Sequence, residues 1–166
     1  MRDRDVEESS SDPERLAERY LAAVEAFIGA MRRVPGERMD WRESDETWSA
    51  RDVAFHVADI DQMLGLRLRR ILGEDNPELA GVNTRASVQL YRRAHLDIGL
   101  AIDALSATGA LNTALIESLT PETMARKGRH SGGHMMSAAD LAAFMAMHIE
   151  AHVRQIGRIV GSTKSK

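Results

Sequence analysis

Segment 138–160 carries an apolar stripe at helical spacing: Leu141, Phe144, Met145, His148, His152, Ile156 and Ile159. Two of its inward positions are imidazoles. Residues four apart lie slightly more than one turn along a helix, so both rings leave the same face, about 6 Å apart. A second stripe, Val53, His56, Val57, Ile60, Leu64 and Leu68, is interrupted in the same way. An imidazole on a buried face needs a partner, and left unpaired it costs of order 1–3 kcal/mol. Three imidazoles from two stripes suit one divalent transition metal. The chain is therefore constrained to a fold that brings these two helices together, with His56 facing His148 and His152.

The rest of the sequence supplies two more helices. Asp12-Pro13-Glu14 offers an N-cap, a proline at the first helical position and an acid in the first turn. The stripe Leu16, Tyr20, Val24, Phe27, Met31 follows and ends before Pro35-Gly36. A connection with both tryptophans, Trp41 and Trp48, leads to Ser49 and Asp52, a capping-box pattern that opens the His56 helix, running to about Gly73. After a second connection from Asn76-Pro77 to Gly81, Asn83 or Thr84 caps a third helix. Its seam, Val88, Tyr91, His95, Ile98, Ile102, Leu105, alternates steps of three and four. Gly109 interrupts that seam, leaving Leu111–Leu119 as a bent or separate piece. Thr120-Pro121 enters a basic, glycine-rich loop from Arg126 to His134, and Ser137 with Asp140 caps the last helix, to about Val160. Four long amphipathic helices with few β-type segments predict an all-α four-helix bundle over residues 13–161, with a disordered arm at 1–12 and a flexible tail at 162–166. The second and third connections are long enough to hide a crossover.

Three ligands leave coordination positions open, as a catalytic rather than a closed structural site does. Glu150, two residues round the helix from His148, faces away from the pair. Asp59, one turn after His56, is either its hydrogen-bond acceptor, a carboxylate ligand, or an ordinary solvated acid. His95 at a seam position reads as a core or pocket-wall histidine, with a proton-shuttle role open to it. Arg126, His130 and His134 precede the ligand-bearing helix, where a loop lying over the bundle mouth would let them contact substrate. The tryptophans read as core anchors and the nine methionines as bundle packing. HExxH, ExxH pairs, a Walker A loop, GxSxG and GxGxxG are all absent from the sequence.

Composition narrows the function. Lys and Arg number 22 against 25 Asp and Glu, a net charge of −3, so no basic excess points to nucleic acid and no polybasic run to anionic lipid. The apolar runs fall short of the roughly 20 residues of a membrane span, and the first residues lack the apolar core of a signal peptide, which predicts a cytoplasmic protein. Cysteine is absent, so any thiol chemistry requires a thiol that arrives as cosubstrate.

Two segments carry a family resemblance. Thr47-Trp48-Ser49-Ala50-Arg51-Asp52-Val53-Ala54-Phe55-His56-Val57 resembles the second-helix entrance of the DinB/YfiT-type metal-dependent bundle superfamily, and His148-Ile149-Glu150-Ala151-His152-Val153-Arg154-Gln155-Ile156 resembles its last-helix motif. Arg126-Lys127-Gly128-Arg129-His130-Ser131-Gly132-Gly133 resembles the loop that precedes it. The likeness spans residues 14–160 and fits less well at 107–122. It implies His56, His148 and His152 as the metal triad, zinc or nickel as the ion, and mycothiol, bacillithiol or glutathione as thiol cosubstrate of a transferase or isomerase. Metal-activated hydrolysis, with Asp59 or His95 moving the proton, is the alternative, and a non-catalytic metal-binding stress-response module is a third. The partners expected are a small electrophile, a thiol and a second copy of the chain, paired through apolar residues outside the stripes such as Leu21, Ile28, Leu96 and Leu100.

Overall fold

The computed structural model describes residues 12–161, so the tail and all of the expected arm but Asp12 lie outside the described residues. Asp12 Oδ1 accepts from the Glu14 amide at 3.1 Å and Pro13 takes the first position of α1 (Pro13–Arg32). One turn, α2 (Gly36–Met39), interrupts the next connection. Helix α3 (Ala50–Gly73) opens on the expected capping box: Ser49 Oγ accepts from the Asp52 amide at 3.2 Å, and Asp52 Oδ2 accepts from the Ser49 amide at 2.9 Å. Then come β1 (Glu78–Leu79), α4 (Thr84–Ala94), α5 (Ile98–Glu117), the short α6 (Pro121–Ala125), β2 (Lys127–His130), β3 (Met135–Ser137) and α7 (Ala138–Gly161).

Helices α1, α3, α5 and α7 form the four-helix bundle. Helix α1 packs on α7 and α5, and α3 packs on the same two, so α1 and α3 stand on one diagonal and α5 and α7 on the other. The Trp41–Trp48 connection shares a cleft with Gln155, Arg158 and Ile159, which puts the C-terminal ends of α1 and α7 beside the start of α3. Arg51 Nη1 donates to the Leu96 carbonyl at 3.3 Å, bringing the start of α5 to that end too. The connections that cross an end of the bundle are therefore the first and the third. The second, which carries α4, joins neighbours.

The third helix departs from expectation. His95 adopts a left-handed conformation (φ 49, ψ 42) that ends α4, and Asp97 Oδ1 accepts from the Gly99 amide to start α5. The seam that reads as one helix is two, because a three-four spacing says nothing of a break at its middle. Gly109 does not interrupt α5; it lets α1 come close, since a Cβ there would lie 2.9 Å from Val24 Cγ1. By length and composition this unbroken α5 is apolar enough to cross a membrane, unlike any run expected from the sequence. In the fold it is a bundle wall, with Ala101, Leu105, Gly109, Asn112 and Ile116 turned inward. Of the apolar residues outside the stripes, Leu21 and Leu100 are exposed, Ile28 is buried and Leu96 is partly covered.

A small sheet, also unanticipated, closes the far end. Strand β1 pairs parallel with β2, and β2 antiparallel with β3. Arg126 donates to the carbonyls of Ile71 (2.9 Å) and Glu74 (2.7 Å), satisfying acceptors that the end of α3 would otherwise leave open. A polar cluster ties three helices together in the core: Tyr20 donates to Asp61 at 2.7 Å, and Asn112 Nδ2 donates to both at 3.2 Å, linking α1, α3 and α5.

Candidate metal centre

The antiparallel packing of α3 on α7 sets His56, two turns into α3, opposite His148 and His152. The Nε2 atom of His148 lies 3.3 Å from that of His56 and 3.2 Å from that of His152, and among the described residues these three form the group able to hold a metal. The spacing is close to the edge, about 3.3 Å, of a tetrahedron whose nitrogens lie roughly 2.0–2.1 Å from its centre. Nitrogens at this separation cannot all be satisfied by one another, because each neutral ring has a single proton to give. His152 Nδ1 spends its proton on Gln155 Oε1 at 2.7 Å, which leaves its Nε2 as a bare lone pair facing the other rings. His148 Nδ1 is buried with no hydrogen-bond partner. The donor set fits a divalent ion bound by imidazole.

Electrostatics keep the rings in the ligand form. Burial, reinforced by His152 and His148, pushes His56 down to about 3. Burial, then His152, brings His148 down to about 4. His152 is lowered by burial against the opposing pull of its Gln155 hydrogen bond. All three are neutral at physiological pH, with lone pairs available. Aromatic rings shield them: Trp48 tilts over His56 with centroids 4.6 Å apart, and Phe144 stacks near His148 at 6.0 Å.

Three carboxylates on or beside these helices, Asp52, Asp59 and Glu150, are engaged. Asp52 receives Ser49 and, through bonds of 2.8 and 2.7 Å, the fork of Arg92, with Arg42 at 3.3 Å. Burial works against its charge, but Arg92 and Ser49 outweigh it and hold Asp52 below the ordinary carboxylate range. Glu150 faces away from the pair, as its position requires, and pairs with Arg19 at 2.8 and 2.9 Å. Asp59 accepts from the Tyr91 hydroxyl at 3.2 Å and stands outside the histidine cluster.

Other expected site residues sit elsewhere. His95 is exposed at the α4–α5 break, on a polar cleft of about 500 Å³ with Arg42, Arg51, Asp52 and Arg92, because the helix that would have carried it inward ends there. Arg126 is spent on the end of α3; Ile71, whose carbonyl it holds, is fifteen residues and about 22 Å along the helix from His56. His130 and His134 flank the β2–β3 turn at that same far end, so this segment does not lie over the histidine cluster. Gln155 lies inside the last-helix motif but carries no signal of a role in the sequence, and Trp48 reads there as a core anchor. Trp48 and Gln155, each touching a histidine of the cluster, line a cleft of about 260 Å³ with Trp41, Glu43, Thr47, Arg158 and Ile159.

Comparison with known proteins agrees with this fold. A protein of Oceanobacillus iheyensis that carries the provisional name metal-dependent hydrolase is 24% identical over 120 residues, 72% of this chain and 69% of its own. Among solved structures, YfiT from Bacillus subtilis, described as a probable metal-dependent hydrolase with an unusual four-helix bundle topology, superposes with a TM-score of 0.78 at 19% identity, covering 91% of this chain and 89% of its own. A mycothiol-dependent maleylpyruvate isomerase superposes with a TM-score of 0.71 at 12% identity, over 87% of this chain and 60% of the isomerase. At such identities the likeness establishes the fold. The DinB superfamily model matches residues 14–156, nearly the whole described chain, and the protein belongs to that superfamily.

Proposed function

We propose that this protein is a metal-dependent transferase that activates a low-molecular-weight thiol at His56, His148 and His152 and delivers it to a small electrophile. The observation that carries this reading is the convergence of three neutral imidazoles which, among the described residues, no carboxylate joins as a ligand. A divalent ion in such a site has coordination positions to spare and lowers the pKa of a thiol or water that binds it. Hydrolysis calls for a positioned base or proton shuttle as well. Asp52, Asp59 and Glu150 are each committed to a hydrogen bond or an ion pair. A thiol ionised by coordination makes no such demand, and with no cysteine in the chain it comes as a separate molecule.

Around that centre the residues have distinct tasks. Gln155 fixes the ring of His152, Trp48 covers His56 from solvent, and Arg158 at the cleft offers a guanidinium to a carboxylate of thiol or substrate. The same reading has the reaction in the cytoplasm, where thiols are kept reduced, and has the chain pairing with a second copy through residues such as Leu21 and Leu100. The likeness to a mycothiol-dependent isomerase supports the thiol.

Hydrolysis is the second reading. It is favoured by the names given to the Oceanobacillus and Bacillus proteins and by Glu43, which lines the cleft beside Trp48 and Gln155 and would serve as base. Cobalt-loaded protein titrated with mycothiol, bacillithiol or glutathione separates the two. A thiolate ligand gives an intense near-ultraviolet charge-transfer band, which is the expected result. If no thiol produces the band, and a hydrolytic activity lost in Glu43→Gln is found, the hydrolase reading replaces it.

A further inference from the structure

The chain has two tryptophans, and both are only half-buried. Trp41 and Trp48 line one cleft of about 260 Å³, between the entry to α3 and the last turns of α7. A neighbour holds each ring in place. Trp48 tilts against His56 with centroids 4.6 Å apart, and the guanidinium of Arg38 lies over the Trp41 ring, 4.8 Å from its centroid. What remains of each indole is a rigid apolar surface turned to the cleft, the kind of surface on which a flat ring stacks.

Charge selects the molecule that can use it. Arg158 lines the same cleft, is exposed, and has no ion pair among the described residues, whereas Arg19, Arg51 and Arg92 are all committed to carboxylates. A cationic ligand, otherwise suited to an indole face, would meet Arg158 in the cleft and Arg38 behind Trp41. A carboxylate would meet a guanidinium ready for a charge-assisted hydrogen bond. Glu43, at the same cleft, repels a second acidic group, so one is the favoured number. The volume lies below the roughly 300–1,000 Å³ of sites for drug-sized ligands, which suits a single ring.

We propose that the cleft between Trp41 and Trp48 binds an aromatic monocarboxylate, with its ring against the indoles and its carboxylate on Arg158. Two of the cleft's walls touch the histidine cluster: Trp48 packs on His56, and Gln155 Oε1 lies 2.7 Å from His152 Nδ1. A molecule bound here is therefore one side chain away from the cluster, where the electrophile of the transferase reaction belongs. Calling it the electrophile rests on that reading of the centre. Its binding does not.

The test titrates full-length, zinc-loaded protein with benzoate, cyclohexanecarboxylate and benzamide, followed by calorimetry and by indole fluorescence, and repeats the series on metal-free protein. Both indoles of the chain line the cleft, so the fluorescence reports its occupancy. Benzoate should bind about 2–10-fold tighter than the saturated acid, from stacking, and about 2–5-fold tighter than the uncharged amide, from the exposed Arg158. Trp41→Leu should remove the first preference and Arg158→Gln the second, with circular dichroism unchanged; Arg158 is exposed, so the fold does not rest on it. Both preferences should persist without zinc. Absence of benzoate binding, equal affinity for benzoate and cyclohexanecarboxylate, preferences that survive both substitutions, or preferences that vanish with the metal would each overturn the inference. If cobalt-loaded protein gives no thiolate band while the preferences stand, only the transferase reading falls. If the band appears and the preferences do not, only this inference falls.

Discussion

A single imidazole in this protein is either a ligand or a liability, and substitution tells which. His56→Ala, His148→Ala and His152→Ala should each abolish or severely weaken retention of the bundle ion, read as metal content by elemental analysis after loading with zinc or nickel, while the helices remain folded. Glu150→Ala is the control, because its carboxylate reaches away to Arg19 in a partly exposed ion pair worth no more than about 1 kcal/mol. It should keep the metal. Gln155→Ala touches the ion only through His152, and losing such a partner should weaken metal binding by roughly 10–100-fold in a chelator competition. The three histidines were legible in sequence because an imidazole inside an apolar stripe contradicts the stripe. Gln155 was not, since a glutamine one position short of the next turn looks like any solvated residue until its amide is seen on the ring. Asp59 was half legible: its face was right, yet Tyr91 on a different helix claimed it.

Among elements, the contact between α3 and α5 is the least forgiving. A Cβ on Gly65 would fall 2.4 Å from Asn112 Oδ1 and 2.8 Å from its Nδ2, and Asn112 cannot yield without releasing Tyr20 and Asp61. Gly65→Ala should therefore destabilise the fold by about 1–3 kcal/mol, measurable as a lower denaturant midpoint with an unchanged slope. Helix boundaries followed the sequence where a cap declared them. Asp12, Ser49 and the Ser137–Asp140 pair mark the starts of α1, α3 and α7. They failed between residues 84 and 117, where the seam continues in register across a backbone reversal at His95, and where Gly109 is a packing notch rather than a break. The sheet was hidden because strands of two to four residues are too short for alternation to show. With the sheet unseen, Arg126 looked free to meet a substrate.

For the whole molecule, the buried imidazoles couple stability to pH. In the metal-free protein His56 and His148 titrate near 3 and 4, against 6.5 in the open chain, and His152 is shifted the same way. Above pH 6.5 neither state holds these protons, so the full stability is present. As pH falls below 6.5 the unfolded chain takes up protons that the folded one refuses, and stability drops progressively toward pH 3–4. Thermal melting of chelator-treated protein from pH 8 to 5 should show a fall that begins near 6.5. Saturating metal at neutral pH should raise the melting temperature, because the ion binds only the assembled fold, whereas none of the three histidine-to-alanine variants should gain from it.

The diagonal placement of α1 and α3 bears on how the chain emerges from the ribosome. Most helical bundles let the first two helices zip into a hairpin as soon as both exist. Here those helices meet across the core, through Tyr20 and Asp61, and each has α5 and α7 for neighbours. A nascent chain that ends after α3 thus has two amphipathic helices and no adjacent surface on which to lay them. A fragment of residues 1–75 should accordingly melt without a cooperative transition in circular dichroism. Until α5 and α7 have been made, the apolar stripes of both helices stay open to solvent.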